Sequence, residues 1–239
     1  MNGVTVKQEK AESRTLPSIL VLIAALNEEK GIELTLTEFM QYLGNSHFLV
    51  VDGHSYDRTV YAAENLGAQV MYQEGKGKGN AISCGIKNLN YDYDYVVFTD
   101  ADYTYPAEYV PSMIDILEKD AEVGMVCGNR FNSKIHVGAI KDPFYFGNRA
   151  IAFTHNLLNG VTLRDPLTGL RVVRWSIIKD WRPKSEGFDI EVELNYYVDR
   201  LGYRIREIDI AYRNRIGEKK LKLQNGFDIV KRILLGFLL

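Results

Sequence analysis

Tyr95-Val96-Val97-Phe98-Thr99-Asp100-Ala101-Asp102 is the stretch on which the reading of the fold turns. Its β-branched and aromatic residues form a short apolar run, and two carboxylates stop it. The run does not alternate, so it is predicted to be a strand covered on both faces, as in a parallel sheet between helices. Similar runs lie at Ser18 to Ala25, at Phe48 to Val51 before Asp52-Gly53, at Gln69 to Tyr72 and at Val123 to Cys127. Helical spacing fills the gaps. Gly31 to Tyr42 is one helix, Asp57 to Leu66 is a second with Gly67 as its C-terminal cap, and Pro106 opens a third. Strands alternating with helices predict an α/β fold with a mostly parallel sheet flanked by helices.

In such sheets ligands bind outside the carboxyl ends of the strands. Ala25-Leu26-Asn27-Glu28, Asp52-Gly53-His54-Ser55 and Asp100-Ala101-Asp102 each follow a strand, so they are expected on one edge. The chain holds a control. Asp92-Tyr93-Asp94 has the same spacing as Asp100-Ala101-Asp102 but precedes its strand, which places it at the opposite edge as a turn.

Beyond Cys127 the pattern loosens. Phe144 to Leu158 and Ile190 to Leu201 read as helical, Leu170 to Val173 as extended, and Arg204 to Tyr212 as a strand. Residues 1–17 form a polar tail, 18–222 one domain, and 223–239 an amphipathic helix with Phe227, Val230, Ile233, Leu234, Phe237 and Leu238 on its apolar side. The 239-residue chain has a formal net charge of -2, which argues against nucleic acid as its partner. Cys84 and Cys127 lack metal-ligand spacing and read as buried thiols of a reducing compartment. No apolar stretch has the length of a secretory signal or of a bilayer span, which takes about 20 residues. The four histidines show no ligand spacing, and no G-x-G-x-x-G fingerprint follows the first strand.

Chemistry concentrates on the strand-following residues. Asp100 and Asp102, one residue apart, can both reach a hard divalent cation, Mg²⁺ or Mn²⁺, that takes its remaining oxygens from water and phosphate. Asp52 is placed to accept from a base N–H, or simply to shape its turn. Gly75-Lys76-Gly77-Lys78-Gly79-Asn80 opens a helix with N–H groups and lysines suited to a diphosphate, or is a mobile surface loop. Arg130 and Arg171 lie in Gly/Arg clusters suited to phosphate oxygens or to structural ion pairs. Between Tyr203 and Lys222 seven Arg or Lys stand against three acids. That basic run beside an apolar helix face reads as membrane-interfacial, or as a packed terminal helix.

Taken in order, Ala25-Leu26-Asn27-Glu28-Glu29, Val51 to Thr59, the Gly-Lys-Gly loop, Thr99-Asp100-Ala101-Asp102, Gly128-Asn129-Arg130-Phe131 and Asp165 to Arg171 resemble family 2 glycosyltransferases. Gly187 to Leu194 and Tyr212 to Leu221 are similar to the dolichyl-phosphate hexose synthase branch, and Phe146-Gly147-Asn148-Arg149 to archaeal members of it. The resemblance implies a GT-A fold, a nucleotide-sugar donor, a Mg²⁺ or Mn²⁺ ion, a polyprenyl (dolichyl) phosphate acceptor, and inversion at the anomeric carbon by single displacement. It implies that Ala25, Leu26, Asn27, Glu28, Asp52, Lys78, Asp100, Ala101 and Asp102 border the nucleotide sugar. Asp100 and Asp102 would hold the metal, and Asp102, Arg130, Arg171 and Glu193 would be catalytic. Arg149, Arg215 and Lys220 would take the acceptor phosphate. Where relatives using GDP-mannose place Gln as a further metal ligand, this chain has Thr104. The branch favours UDP-glucose, and it implies a peripheral enzyme at the cytoplasmic face of the membrane. A hydroxyl acceptor would need a base, with Asp165, Glu191 or Glu193 as candidates. The alternatives are a family 2 enzyme extending a soluble or polymer glycan, a nucleotidyltransferase, and a non-catalytic nucleotide-sugar module at a membrane.

Overall fold

The computed structural model describes residues 16–89, 91–131, 156, 162–217 and 228–234. The apolar runs form strands β1 (Ile19–Ala25), β2 (His47–Asp52), β3 (Gln69–Tyr72), β4 (Tyr95–Asp100) and β5 (Val123–Asn129), followed by β6 (Arg171–Arg174) and β7 (Arg204–Asp209). They make one sheet in the order β3-β2-β1-β4-β6-β5-β7. β1, β2, β3 and β4 run parallel, and β7 runs parallel to β5. β6 is antiparallel to both β4 and β5, so it reverses the chain once and leaves the other six strands pointing the same way. The carboxyl ends of β1, β2, β4, β5 and β7 therefore share an edge, and β6 begins there.

Strand periodicity explains the two cores. In β1, Val21 and Ile23 face a cluster built with Ile32, Leu36 and Phe39 of helix α1 (Glu29–Leu43) and with Val110, Met113 and Leu117 of α4 (Val110–Lys119). Leu20 and Leu22 face the other, with Ala81 and Ile82 of α3 (Lys78–Lys87), Ile177 of α5 (Trp175–Ile178) and Leu194 of α6 (Ile190–Arg200). Helix α2 (Thr59–Asn65) ends before Gly67 at φ 85°, as its capping role requires.

Some local readings change. Pro106 precedes a short 3₁₀ turn (Ala107–Tyr109), and α4 proper starts at Val110 with Pro111 in its first turn. Asp94 accepts from Ser18 N and Oγ, and Asp92 from Trp175 Nε1, so this pair anchors the amino edge. Cys84 and Cys127 are buried and free, and burial pushes the Cys127 thiol up to about 12. Residues 228–234 are helical. Ile229 and Ile233 pack with Val192, Leu167 and Phe188, and Arg232 Nε donates to Asp189 at 2.9 Å. Val230 and Leu234, assigned to the apolar side with Ile233, are exposed. Residues 132–155, which include most of the predicted Phe144 helix, and residues 1–15, 218–227 and 235–239 lie outside the described residues.

Candidate active site

The exits of β1 and β2 are stitched together. Asp52 is fully buried (0% exposed), and its two oxygens accept from Ser55 N (2.8 Å) and Ser55 Oγ (2.5 Å). Ser55 Oγ in turn accepts from Asn27 N, Asn27 Oδ1 accepts from Tyr56 N, and Thr59 Oγ1 accepts from Glu28 N. Asn27 and His54 both adopt positive φ, 50° and 65°, in this double turn. His54 stacks on Tyr72 with ring centroids 5.5 Å apart. Asp52 thus acts first on the turn, and Leu26, 41% exposed, stands at its surface.

Asp100 ends β4, and α1 fixes the loop behind it. Gly31 lets the helix approach so closely that a Cβ there would lie 2.5 Å from Ala101 O. Thr35 Oγ1 donates to Ala101 O and accepts from Tyr103 N. Asp102 Oδ1 accepts from Thr104 N (3.2 Å) and Thr104 Oγ1 (2.6 Å), which gives Thr104 its place: it orients Asp102. On the far side of Asp100, a Cβ at Gly169 would come within 2.6 Å of Oδ2, so only glycine leaves that carboxylate face clear.

Two cations meet this pair, and each is shared with a further acid. Lys78 Nζ bonds to Asp100 Oδ1 and also lies 2.6 Å from Glu191 Oε1. Burial opposes the lysine charge, but Asp100 and Glu191 outweigh it and hold the ammonium well above its ordinary range. Arg215 bonds through Nη2 to Glu28 and through Nη1 to Asp102 Oδ2 at 3.1 Å. Burial and the neighbouring Asp100 push Asp102 upward, against Thr104 and Arg215. The segment carrying Arg215 is laced over the loop: Arg213 N donates to Thr104 O and Ile216 N to Asp102 O.

Arg130, just past β5, forms a second ionic cluster. Its Nε and Nη2 donate to Asp165 at 2.6 and 2.8 Å, and its backbone N donates to the same carboxylate at 3.0 Å. Burial disfavours the guanidinium charge, yet Asp165 holds Arg130 well above its ordinary range. Its charge sits 5.2 Å from the Tyr212 ring centroid, and Tyr212 meets Tyr105 edge-on. These two tyrosines connect the Arg130 cluster to Asp100 and Asp102. Burial raises both phenols.

Several expected contacts are spent elsewhere. Arg171 is 2% exposed; it donates to Thr168 O, Pro166 O and Asn195 Oδ1, and so ties β6 to α6. Glu193 accepts from Lys184 N and Ser185 N. Two N–H groups of the Gly-Lys-Gly loop are already engaged, because Gly79 N and Asn80 N donate to Gly187 O and Glu186 O. A Cβ at Gly77 or Gly79 would lie 2.3 Å from the 185–186 backbone, so these glycines serve packing. Glu191 reaches the site in place of Glu193. Arg149 and Lys220 lie outside the described residues. Among the described residues no group of three or more His, Cys, Asp or Glu converges on a metal position. A two-carboxylate site suits a cation that takes its other oxygens from water and phosphate, and the space that Gly169 leaves beside Asp100 fits that use.

A mixed sheet with carboxylates and cations gathered on one edge is a layout that suits several transferases, and the family profile decides among them. The Glycosyl transferase family 2 profile matches residues 20–181. The chain belongs to that family and is a glycosyltransferase with a GT-A-like fold. It is 35% identical over 87% of its length to a dolichyl-phosphate hexose transferase of Haloferax volcanii, covering 88% of that protein. It is 27% identical over 85% of its length to an undecaprenyl-phosphate mannosyltransferase of Micrococcus luteus, covering 87% of it. Among solved structures, it superposes with TM-score 0.73 on glucosyl-3-phosphoglycerate synthase of Mycobacterium tuberculosis in complex with Mn²⁺, UDP-glucose and phosphoglyceric acid. That match has 22% identity and covers 93% of this chain and 79% of the other.

Proposed function

We propose that this glycosyltransferase moves a hexose, with UDP-glucose the favoured donor, to a polyprenyl (dolichyl) phosphate, inverting the anomeric carbon in one displacement. The observation that carries the reading is Asp100 and Asp102 on the carboxyl edge of the sheet, paired with Lys78 and Arg215, with the Arg130–Asp165 pair as a neighbouring cluster. The curated relatives named above support the lipid-phosphate acceptor by their names, and the Mn²⁺–UDP-glucose complex of a protein of like fold supports a divalent ion with a uridine donor. In this reading Asp100 and Asp102 hold Mg²⁺ or Mn²⁺, whose charge would offset that of the departing diphosphate. The Ala25–Glu28 exit and the Asp52–Ser55 turn border the nucleoside. Arg130, fixed by Asp165, and Arg215 face phosphate oxygens.

The acceptor needs no strong base. A phosphate monoester has a second pKa near ~6 and is largely dianionic at neutral pH. Catalysis then rests on positioning and charge. Glu193 and Asp165, each occupied in hydrogen bonds, fit positioning roles. No helix among the described residues is long and apolar enough to cross a membrane. We place the enzyme at the cytoplasmic membrane surface, where its acceptor would be embedded.

The test offers radiolabelled UDP-glucose, UDP-N-acetylglucosamine and GDP-mannose separately, with dolichyl phosphate and Mg²⁺ or Mn²⁺, with and without EDTA. EDTA-sensitive label in the organic phase from UDP-glucose, lost in Asp102→Ala with the fold intact by circular dichroism, is the expected result. Full activity of Asp102→Ala sinks the metal assignment, and no lipid label from any donor sinks the acceptor.

A further inference from the structure

Both site aspartates are held by cations that are themselves shared with a second, buried acid. Lys78 spans Asp100 and Glu191, and Arg215 spans Asp102 and Glu28. The Asp100 side chain is 29% exposed and that of Asp102 9%, while the Glu191 and Glu28 side chains are 8% and 5% exposed. Asp100 is the most exposed of the four acids, and Asp102, Glu191 and Glu28 are nearly equally buried around the two cations. Two carboxylates one residue apart, of which Asp102 is buried and Asp100 half-buried, repel each other and lose hydration, a cost that a counter-ion must offset. Here the protein supplies its own.

We propose that Lys78 and Arg215 are exchangeable internal cations, displaced from Asp100 and Asp102 onto Glu191 and Glu28 when a divalent ion binds. This rests on the metal reading above and adds to it a reason for the two glutamates. Four carboxylates and two cations carry a net charge of minus two, which one divalent ion neutralises. Like-charge repulsion moves Lys78 Nζ and Arg215 away from the arriving ion, and each keeps one acidic partner as it goes. The geometry provides for the move. Among the described residues, Glu191 Oε2 and Arg215 Nε are buried without a hydrogen-bond partner, so capacity is in place on the glutamate side of the lysine and on the arginine itself. Glu191 and Lys78 line one cleft together with Phe98, Gly169 and Trp181. Glu191 and Glu28 are therefore positioning residues: they act through Lys78 and Arg215 and set how readily the aspartates accept an ion.

The test reads Mn²⁺ affinity of the purified protein without donor, by electron paramagnetic resonance of free Mn²⁺, so that activity is not involved. Lys78→Met and Arg215→Met, which remove the competitors, are expected to bind Mn²⁺ at least tenfold tighter than wild type. Glu191→Gln and Glu28→Gln, which leave each cation only its aspartate, are expected to bind at least fivefold weaker. Lys76→Met removes an equal charge from an exposed position in the same loop and is expected to change affinity less than twofold. Unchanged or weaker binding in both methionine variants, with Asp102→Asn abolishing binding, overturns the exchange and leaves the metal site standing. Mn²⁺ binding untouched by Asp102→Asn overturns both. Where a methionine variant fails to fold, its glutamine counterpart decides: unchanged affinity there overturns the exchange.

Discussion

Asp165→Ala isolates the Arg130 cluster. The Asp165 carboxylate is fully buried, and it accepts from three donors of Arg130. Its removal strands a guanidinium whose side chain is 12% exposed. Breaking a buried pair from one side costs about 3–5 kcal/mol, since the surviving charge loses its partner. Against a total stability of about 5–15 kcal/mol, that is a large share. For a domain of this size it lowers Tm by roughly 6–20 °C. The double substitution Arg130→Met/Asp165→Leu removes the stranded charge. It leaves only the Arg130 backbone N–H without an acceptor, a cost of about 1–3 kcal/mol. The double variant is therefore expected to recover most of the loss in stability, and, on the proposed role of Arg130, is expected to remain without transfer. Urea denaturation followed by circular dichroism gives the numbers. A single-variant loss below about 1 kcal/mol, or a double variant no more stable than the single, refutes the claim that a buried charge pair organises this cluster.

Gly31→Ala pushes a Cβ to 2.5 Å from Ala101 O and 2.9 Å from Asp102 Cα, so the carboxylate loop must shift. Overpacking of this kind costs about 1–3 kcal/mol; transfer is expected to fall far more than stability, and wild-type turnover would show that the loop tolerates displacement. Burial alone would raise Glu38, but Arg213 and the Ala107 N–H hold its carboxyl below the ordinary 4.5. A depressed carboxyl contributes stability above its unfolded value and loses it as pH falls through the folded one. Wild type should therefore lose more urea stability than Glu38→Gln on going from neutral pH to below the ordinary glutamate value, and parallel losses would refute the pairing.

The first five strands were legible because each centres on an apolar run, and the shared edge followed from strand direction alone. That logic separated Asp100 and Asp102 from Asp92 and Asp94, which the structure places at opposite ends of β4. What failed to show was partner choice. Glu191 and Glu193 stand two residues apart on α6, about 200° around the helix at 3.6 residues per turn. One therefore meets Lys78 while the other closes the 184–185 backbone. Arg171 has the same composition signal as Arg130, but it starts a central strand and is consumed beneath the surface. Gly77 and Gly79 look like a phosphate loop in sequence, because close backbone packing and anion binding both call for missing side chains. Only the neighbour, the 185–187 backbone, distinguishes them.

The matched family segment ends at residue 181, yet the site does not. Arg215, one of the two cations that hold the aspartate pair, and Glu191, which shares the other, lie beyond it. So do β7, which pairs with β5, and the segment after it, whose N–H groups reach Asn129, Thr104 and Asp102. The last third of the described chain thus acts on the carboxylate loop twice. It ties the loop's backbone in place through Arg213 N and Ile216 N, and it sets the loop's charge through Arg215. Ordering by the one and neutralising by the other are coupled, because Arg215 and Ile216 are adjacent. A change that loosens the segment removes a cation and a backbone bond together. The edge formed by β1, β2 and β4 supplies the carboxylates, but residues 187–217 determine whether those carboxylates are held in register and at what charge they meet a ligand.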